Sequence, residues 1–317
     1  VAGSYHTPVL LPEVLNFLLT NLNGIYVDAT LGGGGHAEAV LERLAPEGRL
    51  LGIDADPDAL AAAAERLRRF KTQTTLVRGN FGRLSRILPE SDTERIAGVL
   101  FDFGVSSRQL DDAVKGFSYR TDSRLDMRMD PDAPHDAYFL VNTYPVDQLS
   151  EILWTYGEER ESRRIAKAIE SARQRSPIET TGDLSRIVES VIGRGNVTKS
   201  LARVFQALRI EVNNELDQIK RALQDVMDFL EPGGRIVAIS YHSLEDKIVK
   251  DFFAQEAARI IPGRHKLEAD VPRQPRLSVL TKSPVQADRD EITANPRARS
   301  AKLRAAERVD NTDRPQS

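Results

Sequence analysis

Four consecutive glycines, Gly32 to Gly35, constrain this chain more than any other feature. A short β-type run, Ile25-Tyr26-Val27, precedes them and ends in Asp28; a helical pattern, His36-Ala37-Glu38-Ala39-Val40-Leu41, follows. Strand, glycine turn and helix bring a nucleotide-type cofactor close to backbone N–H groups at a helix start. A second strand, Arg49 to Ile53, ends in Asp54. That acid lies about 20 residues past the glycines, where such folds place the carboxylate that accepts ribose hydroxyls. An adenosine-containing cofactor is therefore expected. Gly32-x-Gly34-x-x-Ala37 matches the dinucleotide fingerprint. By itself that pattern leaves NAD, S-adenosylmethionine and a purely structural turn all open.

The rhythm of the chain narrows the choice. Pro12 opens a first helix with Val14, Leu15, Leu18 and Leu19 on one face. Asp56-Pro57 is a helix start, Asp as N-cap and Pro at the first helical position. Thr74 to Val77 reads as a third strand and Ile96 to Phe101 as a fourth, ending in Asp102. Strands alternating with helices predict a parallel sheet covered on both faces. From about Val105 to Arg209 no strand pattern appears: residues 116–136 read as irregular, and helices then dominate. Val212, Leu216, Ile219, Leu223, Val226 and Leu230 predict one long amphipathic helix that stops at Pro232-Gly233-Gly234. An apolar strand from Arg235 to Ser240 follows, with two last strands expected at Leu277–Leu280 and Ala301–Ala305. The expected division is a core over 1–108 and 211–309, a helical insertion over 109–210, and a disordered tail over 310–317.

Composition removes several chemistries. The chain has 317 residues, a net charge of −3 and no cysteine. Without thiols there are no disulfides, cysteine zinc sites or thiolate nucleophiles. No His-Glu-x-x-His pattern suggests a metal. No apolar run is long enough to span a membrane, and no signal-peptide pattern stands at the start, so a cytoplasmic protein is expected. The long helix followed by Leu230-Glu231-Pro232-Gly233-Gly234-Arg235 and an apolar strand is similar to the fifth strand of class I methyltransferases. That similarity favours S-adenosylmethionine.

Longer motifs carry a more specific resemblance. HTPVLLPEV (His6 to Val14), DATLGGGGHA (Asp28 to Ala37), LGIDADP (Leu51 to Pro57) and DFGVSSRQLDD (Asp102 to Asp112) occur in order. GFSYRTDSRLDMRMD (Gly116 to Asp130), TYGEER (Thr155 to Arg160), FQALRIEVNNEL (Phe205 to Leu216), SYHSLED (Ser240 to Asp246) and NPRARSAKLRAAER (Asn295 to Arg308) follow. Over nearly its whole length the chain resembles the bacterial 16S rRNA cytosine-N4 methyltransferases. The resemblance implies a class I, Rossmann-like, S-adenosylmethionine-dependent core with an inserted all-helical domain that recognises rRNA. It also implies methylation of the exocyclic N4 of one cytidine, position 1402 by convention, in the 16S rRNA of the small ribosomal subunit. Cofactor contacts carry over to Gly34, Gly35, His36, Asp54, Phe81, Asp102 and Gln109. Two departures stand out: Ala37 where the family commonly has Ser or Thr, and Ser123-Arg124 where Gly-Pro is usual. A homodimer is compatible with the sequence and not required by it.

The candidate residues each have a plainer alternative. Phe81 packs either on the adenine face or in the core. Gly34 and Gly35 permit close backbone approach, and His36 is expected to serve through its backbone N–H. Asp102 is expected either to accept the amine proton or to bind the methionine part of the cofactor; the sequence leaves both open. Ser240, Tyr241 and His242 leave the fifth strand and are candidates to line the same pocket, with Tyr241 or Phe103 stacking on the target base. The plain reading of that segment is a capping box with Ser243 as N-cap and Asp246 three residues on. Arg160, Arg163, Arg164 and Lys167 on the insertion, and Arg297, Arg299, Lys302 and Arg304 near the end, are candidate phosphate contacts; a solvated face is the alternative. Competing functions are a DNA amino methyltransferase, a nicotinamide dehydrogenase and a non-catalytic ribosome-assembly factor. The missing Pro-Pro loop after strand four counts against the first. A 5-carbon cytosine methyltransferase is excluded because it needs a cysteine.

Overall fold

A computed structural model describes residues 8–104, 115–193, 195–261 and 269–310. The chain forms two compact units, one of residues 1–104 and 216–317, the other of residues 105–215.

The first unit is α/β. Its seven-stranded sheet has the order β3-β2-β1-β4-β5-β9-β8. The strands are β1 (Ile25–Asp28), β2 (Arg49–Asp54), β3 (Thr74–Arg78), β4 (Ile96–Asp102), β5 (Leu230–Ser240), β8 (Leu277–Val279) and β9 (Lys302–Arg308). The pairs from β3 to β5 are parallel, and β9 runs antiparallel to both β5 and β8. The chain winds outward from β1 to β3, then returns to place β4 on the other side of β1. The crevice at such a reversal, at the carboxyl ends of the strands, is where open α/β sheets hold ligands. Among the described residues no helix is long and apolar enough to cross a membrane.

Alternation along the strands makes two apolar layers. Val27, Val99, Phe101, Ile236 and Ala238 face one side, with α4 (Leu84–Glu90), α10 (Glu215–Phe229) and α11 (Ser243–Ala257) supplying Leu88, Leu223 and Phe253. Tyr26, Leu100, Val237 and Ile239 face the other, with α1 (Leu11–Leu18), α2 (Gly35–Leu41) and α3 (Pro57–Arg66) supplying Leu18, Val40 and Ala63. The Asp56 side chain accepts the Asp58 N–H and Pro57 opens the helix, as its sequence predicts. Ala37 is fully buried in the second layer, where a hydroxyl in its place would need a hydrogen-bond partner.

Two boundaries differ from expectation. The helix predicted through Val212 and Leu216 is broken at Asn214, which takes the left-handed conformation at φ 49°. One helix, α9 (Val197–Asn213), ends there and α10 begins at Glu215. Asparagine tolerates that conformation better than other residues with a side chain, and the periodicity on either side conceals it. The fifth strand begins at Leu230, ahead of Pro-Gly-Gly, and the register shifts between Ile96↔Leu230 and Gly98↔Arg235. Pro232 and Gly233 (φ 75°) therefore form an irregularity inside the strand.

The second unit is helical. Its α5 (Ala137–Thr143), α6 (Val146–Thr155), α7 (Ser162–Arg173), α8 (Thr181–Ile192) and α9 (Val197–Asn213) enclose a core that includes Val141, Leu153, Ile169, Val188 and Leu208. Thr180 and Asp183 form a reciprocal capping box at the start of α8. The segment from 115 to 136 is irregular but tightly bonded. Arg128 grips both oxygens of Asp126 at 2.8 Å and donates to the Pro131 and Ala133 carbonyls. Asn213 donates to the Met127 carbonyl and accepts the Met129 N–H, holding Met127 at φ 63°. At the departure Ser123-Arg124, Ser123 exchanges bonds with Thr181, and Arg124 reaches Asp136 at 3.0 Å. The predicted tail beyond residue 310 lies outside the described residues. A separate two-stranded pair joins β6 (Ile260–Ile261) and β7 (Val271–Pro272).

Candidate active site

Parallel register sets three acids in a row. Asp28 pairs with Gly52 of β2 and Leu100 of β4, so Asp54 and Asp102 each stand two residues further along the neighbouring strands. The glycine turn is drawn over this edge by backbone bonds. Ala29 N–H donates to Leu100 and Leu31 N–H to Ile53, at 2.9 and 3.0 Å. Gly32 (φ 50°) donates its N–H to Asp54 Oδ2 at 2.8 Å. At Gly34 (φ 77°) a Cβ would press to 3.3 Å from the Ala63 Cβ. Left-handed backbone and close packing together favour glycine.

Asp54 Oδ1 accepts the Asp56 N–H at 2.8 Å, so both carboxylate oxygens have backbone partners. The acid predicted for the ribose is thereby also the strut that shapes the turn. Asp28 accepts the Thr30 N–H at 3.3 Å and is almost fully buried. Burial pushes its carboxyl up to about 7, against the opposing pull of His36.

Asp102 is the centre of the arrangement. Its backbone N–H donates to Thr30 Oγ1 at 2.6 Å. Its Oδ1 accepts the Tyr241 phenol at 2.8 Å, and its Oδ2 lies 3.7 Å from His36 Nδ1. Burial raises the Asp102 carboxyl above its ordinary range, while His36 and the Tyr241 hydroxyl hold it down. The His36 ring has a role of its own, beyond the backbone N–H expected of it. Nε2 must carry a proton, since it sits 2.9 Å from the Val9 carbonyl, which can only accept. Nδ1 then faces the carboxylate.

The segment after β5 departs from the predicted cap. The N-cap is His242, not Ser243: its ring accepts the Glu245 N–H, and Glu245 answers to the His242 backbone. Glu245 is completely buried, and its Oε2 takes the Tyr241 N–H at 2.7 Å and the His242 N–H at 3.3 Å. The frame shifts by one residue because a histidine nitrogen substitutes for the usual hydroxyl. Ser240 is buried at the strand end, and its Oγ has no hydrogen-bond partner among the described residues. Phe81 begins a short 3-10 turn and stands edge-on to Phe101 at 6.2 Å, with Phe103 at 5.8 Å. Phe103 stacks on Phe101 and is buried, so it presents no free face to a base.

Gln109 lies outside the described residues. Arg297 is half-buried and its charge is felt at Tyr241, whereas Arg299 is exposed. Arg304 is withdrawn from any ligand: it is buried and holds Asp246 through two bonds of 2.6 and 3.2 Å, with Lys302 3.6 Å from the same acid. In the helical unit Arg160, Arg163, Arg164 and Lys167 are all exposed. Arg164 is shared with Glu161 and the Val191 carbonyl. Sequence reasoning missed Asp28, Thr30 and Glu245. A carboxylate closing an apolar strand was the available signal for Asp28; Glu245 had none, because a glutamate in a first helical turn is commonplace.

The donor set suits a cationic adenosine cofactor. Acidic groups line the edge, two of them raised by burial, and a left-handed glycine turn leads into α2. A positively charged ligand would relieve the mutual repulsion of Asp28, Asp54 and Asp102.

Comparison with known proteins agrees in scope. The pattern of the MraW methylase family matches residues 3–309. A protein of Heliobacterium mobile named Ribosomal RNA small subunit methyltransferase H is 45% identical over 309 residues, covering 96% of this chain and 99% of its own length. Proteins of the same name from Syntrophus aciditrophicus and Pelobacter propionicus are each 47% identical, over 315 and 313 residues. The first pairing covers 96% of this chain and 98% of the relative; the second covers 98% and 100%. By both its whole-length pattern and these identities, the chain belongs to the MraW methylase family.

Proposed function

We propose that this chain transfers a methyl group from S-adenosylmethionine to the exocyclic N4 of a cytidine in small-subunit rRNA, position 1402 by the family's convention, with Asp102 as the proton acceptor. The observation that carries the reading is the Asp102 carboxylate. It stands at the switch point of the sheet, raised by burial; among the described residues one oxygen accepts the Tyr241 hydroxyl and the other lies 3.7 Å from His36 Nδ1.

Asp54, the glycine turn and Phe81 would hold the adenosine; Asp28 would face the cationic part. The bound cofactor supplies a methyl made electrophilic by a positive sulfur. The protein's task is the nucleophile. The N4 lone pair is delocalised into the ring, so the amine attacks poorly. A carboxylate accepting its N–H returns electron density to nitrogen and receives the proton as the new C–N bond forms. Burial favours this, because a raised carboxyl is a better acceptor at neutral pH. Holding amine and acceptor together supplies further rate.

The exposed basic face of α7, with Arg160 just before it, suits phosphate contacts, and a folded rRNA segment suits shape recognition. Arg297 beside Tyr241 would meet the strand near the target base. Small ribosomal subunits are the partner and the cytoplasm the location in this reading.

The test uses small subunits from a strain lacking the modification, labelled cofactor, and mass mapping of digested rRNA. One methyl on a cytidine N4 is the expected product. Label on another atom, or none with cofactor bound, refutes the reading. Asp102→Asn should lower turnover about 10²- to 10⁴-fold with cofactor affinity kept; equal loss in both would make Asp102 a cofactor ligand instead.

A further inference from the structure

We infer that Tyr241 is a positioning residue, whose hydroxyl aims the Asp102 carboxylate so that its second oxygen is presented to the substrate amine. The inference rests on Asp102 as proton acceptor and assigns what holds it.

The Tyr241 ring is fixed at three points. Its backbone N–H is held by buried Glu245 at 2.7 Å. One face lies against Gly104, where a Cβ would come within 3.3 Å of Tyr241 Cδ2. The hydroxyl donates to Asp102 Oδ1 at 2.8 Å. A ring so anchored does not swing to stack on a base, the role first considered for it. An exposed carboxylate rotates about its last torsion and spreads its lone pairs over many directions. With Oδ1 tied to the phenol and Oδ2 3.7 Å from His36 Nδ1, the plane of the carboxylate is set, and the remaining open side of Oδ2 is directed to one place.

The phenol remains a donor throughout. Burial and the neighbouring Asp102 and Glu245 charges push its ionisation well above the ordinary tyrosine value, with Arg297 opposing. The bond therefore persists whether Asp102 is charged or has taken the amine proton. It favours the charged form, so it tempers the basicity that burial confers. The groups facing Asp102 are His36 from α2, Tyr241 and Glu245 from the segment after β5, and Asp28 from β1.

Two substitutions move this bond in opposite directions at nearly constant shape. Tyr241→Phe removes the donor; replacing Tyr241 with a ring-difluorinated tyrosine strengthens it by acidifying the phenol. Turnover of labelled cofactor on small subunits is followed against pH. With Tyr241→Phe, kcat is expected to fall about 10- to 100-fold. Cofactor affinity by calorimetry should stay within about 2-fold, because no cofactor contact is assigned to the hydroxyl. The acidic limb of the profile moves to higher pH. The fluorinated protein keeps kcat within a few-fold and moves that limb to lower pH. A residue that merely fills space would shift neither limb. If Asp102→Asn abolishes turnover but both Tyr241 proteins keep the parent limb, the positioning role is overturned and the acceptor stands. If Asp102→Asn remains active, the acceptor itself falls and the positioning role with it. Should Tyr241→Phe not fold, the fluorinated protein alone decides, by the presence or absence of the downward shift.

Discussion

Asp54 Oδ2 accepts the Gly32 N–H at 2.8 Å across 22 residues of sequence. The acid at the end of β2 thus shapes the turn that follows β1. Asp54→Ala leaves the Gly32 and Asp56 N–H groups without that acceptor, at a cost of about 1–3 kcal/mol. Cofactor affinity should fall by about 10-fold or more, since turn and ribose contact are lost together. Calorimetric titration and urea unfolding check both halves. Retained affinity in a destabilised variant would reduce Asp54 to a structural role.

The pH dependence of stability follows from Asp28. Its carboxyl is raised from 3.8 to about 7, chiefly by burial. A group that keeps its proton in the fold but loses it on unfolding stabilises the fold at low pH. That contribution is complete below the unfolded value, declines as pH rises toward the folded value, and is absent above it. Asp28→Asn keeps the shape without the charge. Its advantage over the parent should grow between pH 4 and 7 to the order of a few kcal/mol, then level off. Urea midpoints at pH 4, 6 and 8 measure it; parallel behaviour of the two proteins would contradict the assignment.

Asp246 and Arg304 couple α11 to β9. Burial alone would raise the Asp246 carboxyl, but the two-pronged Arg304 bond and charge, aided by Lys302, hold it below the ordinary range. Arg304→Met removes the two-pronged partner of a mostly buried carboxylate and leaves Lys302 beside it, at a cost of about 1–3 kcal/mol at neutral pH. Because the folded value is depressed, this loss shrinks as pH falls through it. Thermal unfolding at pH 7 and pH 3 shows whether the difference narrows in acid.

The exposed basic face predicts a salt signature. Reversing Arg160, Arg163 and Lys167 to glutamate should weaken rRNA substrate binding. It should also flatten the slope of log affinity against log salt by about 0.7–0.9 per lost phosphate contact. Cofactor affinity is unchanged, as the three residues lie outside the α/β unit. An unaltered slope would leave them as a solvated face.

Much of the fold was legible because local physics writes it into the chain. An unbroken apolar run marked Ile96–Phe101, and Asp56-Pro57 announced α3. The break at Asn214 was not legible, since apolar spacing continues across it while one backbone angle reverses. The last strand was nearly hidden: Lys302 and Arg304 read as surface, yet β9 lies between β5 and β8, with Ala305 and Ala306 buried.

At the site the sequence alone determined which residue types end the strands, where the glycines permit left-handed backbone, and that no thiol chemistry is available. Tertiary structure alone decided what those residues do. Asp102 and Tyr241 are 139 residues apart, and only parallel pairing of β4 with β5 brings them within a hydrogen bond. The raised carboxyls of Asp28 and Asp102 likewise come from burial and from acidic neighbours on other elements. A side chain's identity is local, but its solvation and its partners belong to the packed sheet.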